Sequence, residues 1–306
     1  MANQQPRAYA AAHFALELDS KDEVGLFKSI EGGSIKSDVM TYQHGEDYSR
    51  WRQLGKPKFE DLKLQVGMSM SPPFYKWIEE FFIGVANRRT GAVVAADFYY
   101  IERARREFTE ALIKELVFPK LDATDKGAAY LSVSLAVETI VFKKGEGKKL
   151  QHPAGFEKQK VWNANNFRFE LAGFNDQCSR ISKVDSFTIK QNILEYHASG
   201  VAALRAPRKC PSQIEFPNLV VYVPEPDAPK FLEHYEKRGV QGEVPGRLTG
   251  SITTFDAENK DTFEVSFDGA DIISVTPDKA DSGSEDIKNL KVEIYTESMK
   301  FKYLGT

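Results

Sequence analysis

Apolar and polar positions alternate with period two along several stretches of the chain, as they do in strands with one buried face. Ile35, Val39 and Thr41 alternate with Met40 and Tyr42, and Ile189 and Ile193 alternate with Leu194 and Tyr196. Leu131, Val133, Leu135 and Val137 repeat the pattern in "YLSVSLAVETIVF", as do Leu290, Val292 and Ile294 in "NLKVEIYTESMKF". One stretch in each half follows the helical period instead. "SPPFYKWIEEFFIGVANRRTG" puts Pro72 and Pro73 in a first turn and sets Phe74, Trp77, Ile78, Phe81 and Val85 on one face. That helix is expected to stop near Gly91. "PEPDAPKFLEHYEKRG" groups Phe231, Leu232 and Tyr235, with Gly239 as the expected terminator.

These elements come twice in one order, and short matches keep a nearly constant offset, the mark of an internal repeat. "HFALEL" from His13 meets "NFRFEL" from Asn166 at 153 residues, and Ile35, Lys36 and Tyr42 meet Ile189, Lys190 and Tyr196 at 154. Pro57 aligns with Pro211, "KWIEEF" with "KFLEHY", Phe108 with Phe263, "DATDKG" with "DKADSG", and Phe142 with Phe301. A second copy decides elements that one copy leaves open. "REFTEALIKELVF" has a helical composition, yet its counterpart "DTFEVSFDGADIISV" alternates Phe263, Val265 and Phe267, so both are read as strands. The expectation is a mainly β protein with one helix per domain: two tandem antiparallel β-barrel or sandwich domains, residues 1–145 and 166–306. The polar residues 146–165 between them read as a linker, whose roughly 20 residues would reach about 65 Å if extended.

Composition narrows the function classes. With 306 residues, 42% of them hydrophobic, the chain can bury two cores, and a net charge of −3 gives no basic field for nucleic acid or an anionic membrane. No stretch reaches the ~20 apolar residues of a membrane helix, and the amino terminus lacks a secretory signal's apolar core. Two cysteines, Cys178 and Cys210, make no disulfide framework and are expected to be reduced and structural in a cytoplasm. No phosphate-binding loop, dinucleotide fingerprint or zinc-protease motif is present, so no enzyme activity, cofactor or metal is expected. His44 and His197 follow strand ends beside Gly45 and Gly200, a turn setting. Asp122, Asp125, Asp278 and Asp281 lie between strands, where Asp and Gly serve as turn residues rather than calcium ligands. Lys143, Lys144, Lys148 and Lys149 read as a solvated strand end and linker. Trp77 is expected in the core, and Trp51 falls in a loop.

The order "FALELD", "VGLFKSIEGGSIKSDVMTYQHG", "RWRQLGKPKFEDLKLQVGMS", "FYKWIEEFF" and "LVFPKLDATDKGAAYLSVSLAVETIVF" resembles the tail tube proteins of contractile-tailed bacteriophages and contractile injection systems, across the whole first copy. The second copy keeps the order more loosely, with Phe231 where the first has Trp77. The resemblance implies small β-barrels flanked by a helix, joined edge to edge into rings that stack as a tube in a virion tail assembled in the host bacterial cytoplasm. Implied partners are the chain itself, in hexameric or trimeric pseudo-hexameric rings, with sheath and baseplate proteins, and DNA passing through the lumen without sequence-specific binding. A lumen that passes DNA should avoid cations, and the mildly acidic balance agrees. A trimeric tube initiator or baseplate hub is the alternative within the class. From another class, a tandem-barrel enzyme or ligand-binding protein would place its pocket between the copies. Ile35, Val39, Tyr42, Ile189, Ile193 and Tyr196 are the expected wall-building residues, and Asp47, Arg50 and Trp51, in the loop from Gly45 to Gly55, an expected contact between rings.

Overall fold

The computed structural model describes residues 11–19, 22–43, 45, 50–67, 70–150, 162–196, 207–242, 247–277 and 288–305. In the first half the elements are β1 (His13–Leu18), β2 (Asp22–Phe27), β3 (Ser29–Gly32), β4 (Ile35–Gln43), β5 (Arg50–Phe59), β6 (Leu62–Val66), α1 (Pro72–Phe82), β7 (Arg89–Ala96), β8 (Glu102–Phe118), β9 (Leu121–Asp122), β10 (Leu131–Ala136) and β11 (Thr139–Lys144). The second half runs β12 (Phe167–Leu171), α2 (Asn175–Cys178), β13 (Lys183–Val184), β14 (Phe187–Tyr196), β15 (Arg208–Glu215), β16 (Leu219–Pro224), α3 (Ala228–Tyr235), β17 (Leu248–Phe255), β18 (Asp261–Pro277), β19 (Asn289–Tyr295) and β20 (Ser298–Tyr303). Mostly β, with one longer helix in each half, the protein has the expected fold class.

Strand pairing follows one scheme in both halves. In the first, β7 lies between β1 and β8, β8 also takes β11 and β10, β10 takes β6, β6 takes β3, and β4 forms a hairpin with β5. In the second, β17 lies between β12 and β18, β18 takes β20 and β19, β19 takes β16, β16 takes β13, and β14 pairs with β15. The long strands β8 and β18 carry a bulge after their first half. Glu110 sits there at φ 52° and Gly269 at φ 67°, and beyond it each strand turns away from its first neighbours to meet a new one. The turns entering these strands also match. Asp97 Oδ1 accepts the Tyr99 and Ile101 N–H groups, and Asp256 Oδ1 accepts those of Glu258 and Lys260. Their tips differ: Phe98 and Tyr99 are exposed in one turn, where the other has Ala257 and Glu258.

The apolar face of α1 (Phe74, Tyr75, Trp77, Ile78, Phe81 and Phe82) is buried in a hydrophobic cluster that runs through both halves from Leu16 to Phe301. Trp77 is in that core as expected, its indole N–H donating to the Asn87 carbonyl at 2.8 Å.

Several boundaries and alignments differ from the expectation. Helix α1 ends at Phe82, not near Gly91: the Gly84 N–H donates to Phe81 O and the Val85 N–H to Glu80 O, closing a Schellman turn with Gly84 at φ 76°. Gly91 lies instead in β7. Gly239 does not end α3 either, since a π-helical turn runs on from Glu236 to Val240. Phe108 pairs with Gly91 as Phe267 pairs with Gly250, so its counterpart is Phe267 and not Phe263. Pro57 faces Ser37, whereas Pro211 faces Ile193, whose counterpart Val39 faces Leu54. A further helical turn, α2, follows β12 at the place where β2 follows β1. Residues 162–165, expected to be linker, include Trp162, which is buried against Phe263 with ring centres 5.0 Å apart. Asp278, Asp281, His44, His197, Gly200 and most of the linker lie outside the described residues.

Candidate self-assembly interface

The two halves meet by sharing strands. Beyond its bulge β8 has β10 on one edge, and on the other it receives β14 from the second half, with Phe187 opposite Phe118, Thr188 opposite Val117, Ile189 opposite Leu116 and Lys190 opposite Glu115. Stacked rings of Phe118 and Phe187, 4.7 Å between centres, close the top of this joint. A second, shorter pairing sets β9 of the first half against β13 of the second. Beside it the Asp122 carboxyl, which burial would raise, is held down to about 2 by hydrogen bonds from Lys120 and Thr124. Asp122 and Asp125 each accept a backbone N–H two residues on, from Thr124 and Gly127, the turn chemistry expected of them.

Helix α1 contributes the return contact. It crosses to β20 of the second half, where Tyr75 stacks on Tyr303 at 4.0 Å, Phe82 stacks on Phe301 at 5.8 Å, and the Glu79 carboxylate accepts the Tyr303 N–H at 2.9 Å. Burial, and then Tyr303, push the Tyr75 phenol well above its ordinary range. Charge fixes the rim. Glu138 of the first half accepts the Lys209 N–H at 2.9 Å and pairs with Arg88 at 2.8 Å and Arg208 at 3.2 Å, while Arg88 also donates to the Lys209 carbonyl at 2.6 Å. The N–H and the carbonyl of one β15 residue, Lys209, are therefore both held by the first half. Charge-assisted hydrogen bonds of this kind, removed from water, contribute more than exposed ion pairs do.

The corresponding groups on the outer margins are uncovered. Ile189 is 0% exposed in the joint, and Ile35, its counterpart on β4, is 45% exposed. Phe301 is 5% exposed under α1, and its counterpart Phe142 on β11 is 55% exposed. The Glu138 side chain is 5% exposed, whereas that of Glu297, which pairs with Arg247 as Glu138 pairs with Arg88, is 44% exposed. Among the described residues, β4 pairs only with β5, and β18 from Asp271 to Pro277 pairs only with β19.

Of the residues singled out in the sequence, Ile189 sits in the joint. Ile35, Val39, Tyr42, Arg50 and Trp51 are exposed on the β4–β5 hairpin, Ile193 is half-buried on β14, Tyr196 is exposed at the end of β14, and Asp47 lies outside the described residues. From Arg50 on, the loop expected from Gly45 to Gly55 is strand β5, with Trp51 opposite Tyr42. Gly55 and Pro57 hide that strand in the sequence, because both residues are depleted from strand interiors and tolerated in exposed hairpins. The β4–β5 pair carries Lys36, Arg50, Arg52, Lys56 and Lys58 against Asp38, so the chain's overall acidity does not describe this hairpin. Sequence reasoning missed Arg88, Glu138 and Lys209. A signal was there: Arg88 with Arg247 and Glu138 with Glu297 recur at one common offset of 159 residues.

Both cysteines are free thiols; Cys178 is buried, its thiol pushed up to about 11 by that burial, and Cys210 is exposed on β15 rather than structural. No group of three or more His, Cys, Asp or Glu among the described residues is arranged to hold a metal ion. At the seam between the halves, Phe118, Trp162, Phe187 and Phe263 line an apolar gap with no room for a water molecule.

Residues 10–141 match the family model described as T4-like virus tail tube protein gp19. No curated protein matches the chain. Among solved structures, the chain is similar to one from the PVC sheath–tube complex of an extracellular contractile injection system in the extended state, at 16% identity and a TM-score of 0.40, covering 46% of this chain and 94% of that one. It is similar also to the tube-terminating cap of the anti-feeding prophage, at 19% identity and 0.40, covering 47% and 95%. A third is the PVC sheath/tube terminator in the extended state, at 16% and 0.39, covering 46% and 99%.

Proposed function

We propose that this chain, whose residues 10–141 match the tail tube protein family model, builds the wall of a hollow tube from copies of itself, in a phage-like contractile tail or injection particle. The observation that carries the reading is the placement of β14 on the edge of β8: two like-paired units already stand side by side in one chain, one lending a strand to the other's sheet. The contact is heterologous, with different surfaces meeting, and a heterologous contact repeated about an axis closes into a ring when the rotation permits. Closure also removes exposed strand edges, which are otherwise an aggregation hazard.

The shared pairing scheme supports reading residues 1–145 and 166–306 as a tandem duplication joined by 146–165. Because the two units are lateral neighbours, both fit in one ring wall. With six units to a ring, as the tail tube resemblance implies, three chains close it. Rings then stack through the segment from Gly45 to Gly55, inside a sheath and on a baseplate, around a conduit for DNA or an effector protein. A second reading within the class has its own observation. The tips Phe98–Tyr99 and Ala257–Glu258 differ, so two kinds of position would alternate around the ring, as suits an initiator or hub where threefold and sixfold parts meet. A pocket between the copies, which an enzyme or ligand-binding protein would need, finds no support in the dry apolar gap at the seam.

Negative-stain images of the purified full-length chain test the proposal. Rings or hollow tubes with a central channel are the expected result. A monodisperse single chain at every concentration tried would overturn it.

A further inference from the structure

Resting on that reading, we infer that the outer margins of one chain form with the next chain the same joint that holds its own two halves together, in a register fixed by the internal copy. Carried across the repeat, the pairs of β14 with β8 become Ser34 of one chain opposite Thr276 of the next, Ile35 opposite Val275, and Lys36 opposite Ser274. The correspondence does not rest on matching letters. Leu116 pairs with Val133, which pairs with Leu64, which pairs with Ile30; Val275 pairs with Val292, which pairs with Val221, which pairs with Val184. Ile35 follows Ile30, and Ile189 follows Val184, by the same five residues.

Three independent features ask for this occupant. The apolar side chain Ile35 stands in solvent on a strand with one edge unpaired among the described residues, as Ile189 would if the first half were absent. Phe142 stands exposed on β11 because the first half has no helix over it, whereas α3 exposes Leu232 and Tyr235 at the other end of the chain, so α3 of one molecule covers β11 of the next as α1 covers β20. Arg247 and Glu297 repeat the Arg88–Glu138 clamp but stand half in solvent, and the peptide they would grip is that of Arg52, the counterpart of Lys209. The occupant is a second copy of this chain, since among the described residues it is β4, β5 and β11 of the first half that carry the matching groups. Every chain thus fills two consecutive places, and a closed ring contains an even number of units.

The test uses the full-length chain with Cys210→Ser, to remove the exposed thiol, carrying Lys36→Cys and Ser274→Cys together or singly. A short bis-maleimide is added and the products are read on a denaturing gel beside negative-stain images of the same sample. The double variant is expected to give linked multimers ending in a closed ring species, and each single variant to stay at the mass of one chain. Rings in the images with no linked multimer would overturn this joint and leave the ring reading standing; absence of both would overturn the ring reading with it. Ile35→Asp serves as the second arm, expected to leave the melting transition of the isolated chain in place and to reduce ring formation at least tenfold. Rings formed by that variant as readily as by the parent would also overturn the joint.

Discussion

Phe301→Ala is expected to destabilise the isolated chain by about 3–5 kcal/mol, the range for truncating a buried phenylalanine, while Phe142→Ala at the corresponding place is expected to change it by no more than about 0.5 kcal/mol. The contrast comes from what covers each ring. Phe301 lies where the halves meet, its centre 5.8 Å from Phe82, 5.4 Å from Phe263 and 6.3 Å from Phe118, so its removal leaves a void bordered by three aromatic rings that cannot all collapse into it. Phe142 is 55% exposed, with the Arg106 guanidinium over its ring at 5.6 Å. Denaturant unfolding followed by tryptophan fluorescence, to which Trp162, packed on Phe263 at the same seam, contributes, reads the difference. Equal losses for the two variants would mean that Phe142 is already covered in the single chain, and the account of an open outer margin would fail.

Gly91→Val and Gly250→Val are each expected to cost at least about 3 kcal/mol, the upper part of the overpacking range, and to leave little soluble protein. At Gly91 an added Cβ would stand 2.1 Å from the Glu17 carbonyl oxygen and 2.9 Å from the Phe108 ring; at Gly250 it would stand 2.3 Å from the Glu170 carbonyl oxygen and 2.4 Å from the Phe267 ring. The carbonyl belongs to the neighbouring strand in both halves, so relief means parting β1 from β7 or β12 from β17. Gly67→Ala is the control, with nothing nearer than 3.8 Å to the new atom, and is expected to melt like the parent. Parental melting of either valine variant would contradict the close backbone approach on which the β1–β7 and β12–β17 pairings depend.

How far the sequence discloses this fold depends on which physics each feature uses. Period-two alternation reports burial on one face, a local property, so β10, β14 and β19 are legible directly. The β4 segment alternates too and is a strand, but every one of its positions is exposed in the single chain. β8 is legible only through β18, because Glu107, Glu110, Lys114 and Glu115 give it a helical composition that tertiary pairing overrides. The start of α1 follows from Pro72 and Pro73, but its end does not, because Val85 continues the apolar spacing past Gly84. Matching letters misaligned Phe108 with Phe263, since the pairing partner that fixes register, Gly91, lies on another strand. Burial of Ile189 beside exposure of Ile35 could not be foreseen: the two sequences look alike there, and the difference lies in which neighbour stands on each.

The central claim is that both halves take consecutive, equivalent places in the wall of one ring. Native mass spectrometry of isolated rings, combined with counting units in end-on cryo-EM averages of the same rings, tests it most directly. The account predicts six wall units with the mass of three 34.5 kDa chains. Six wall units with the mass of six chains, each placing one half in the wall and the other outside it, would contradict it.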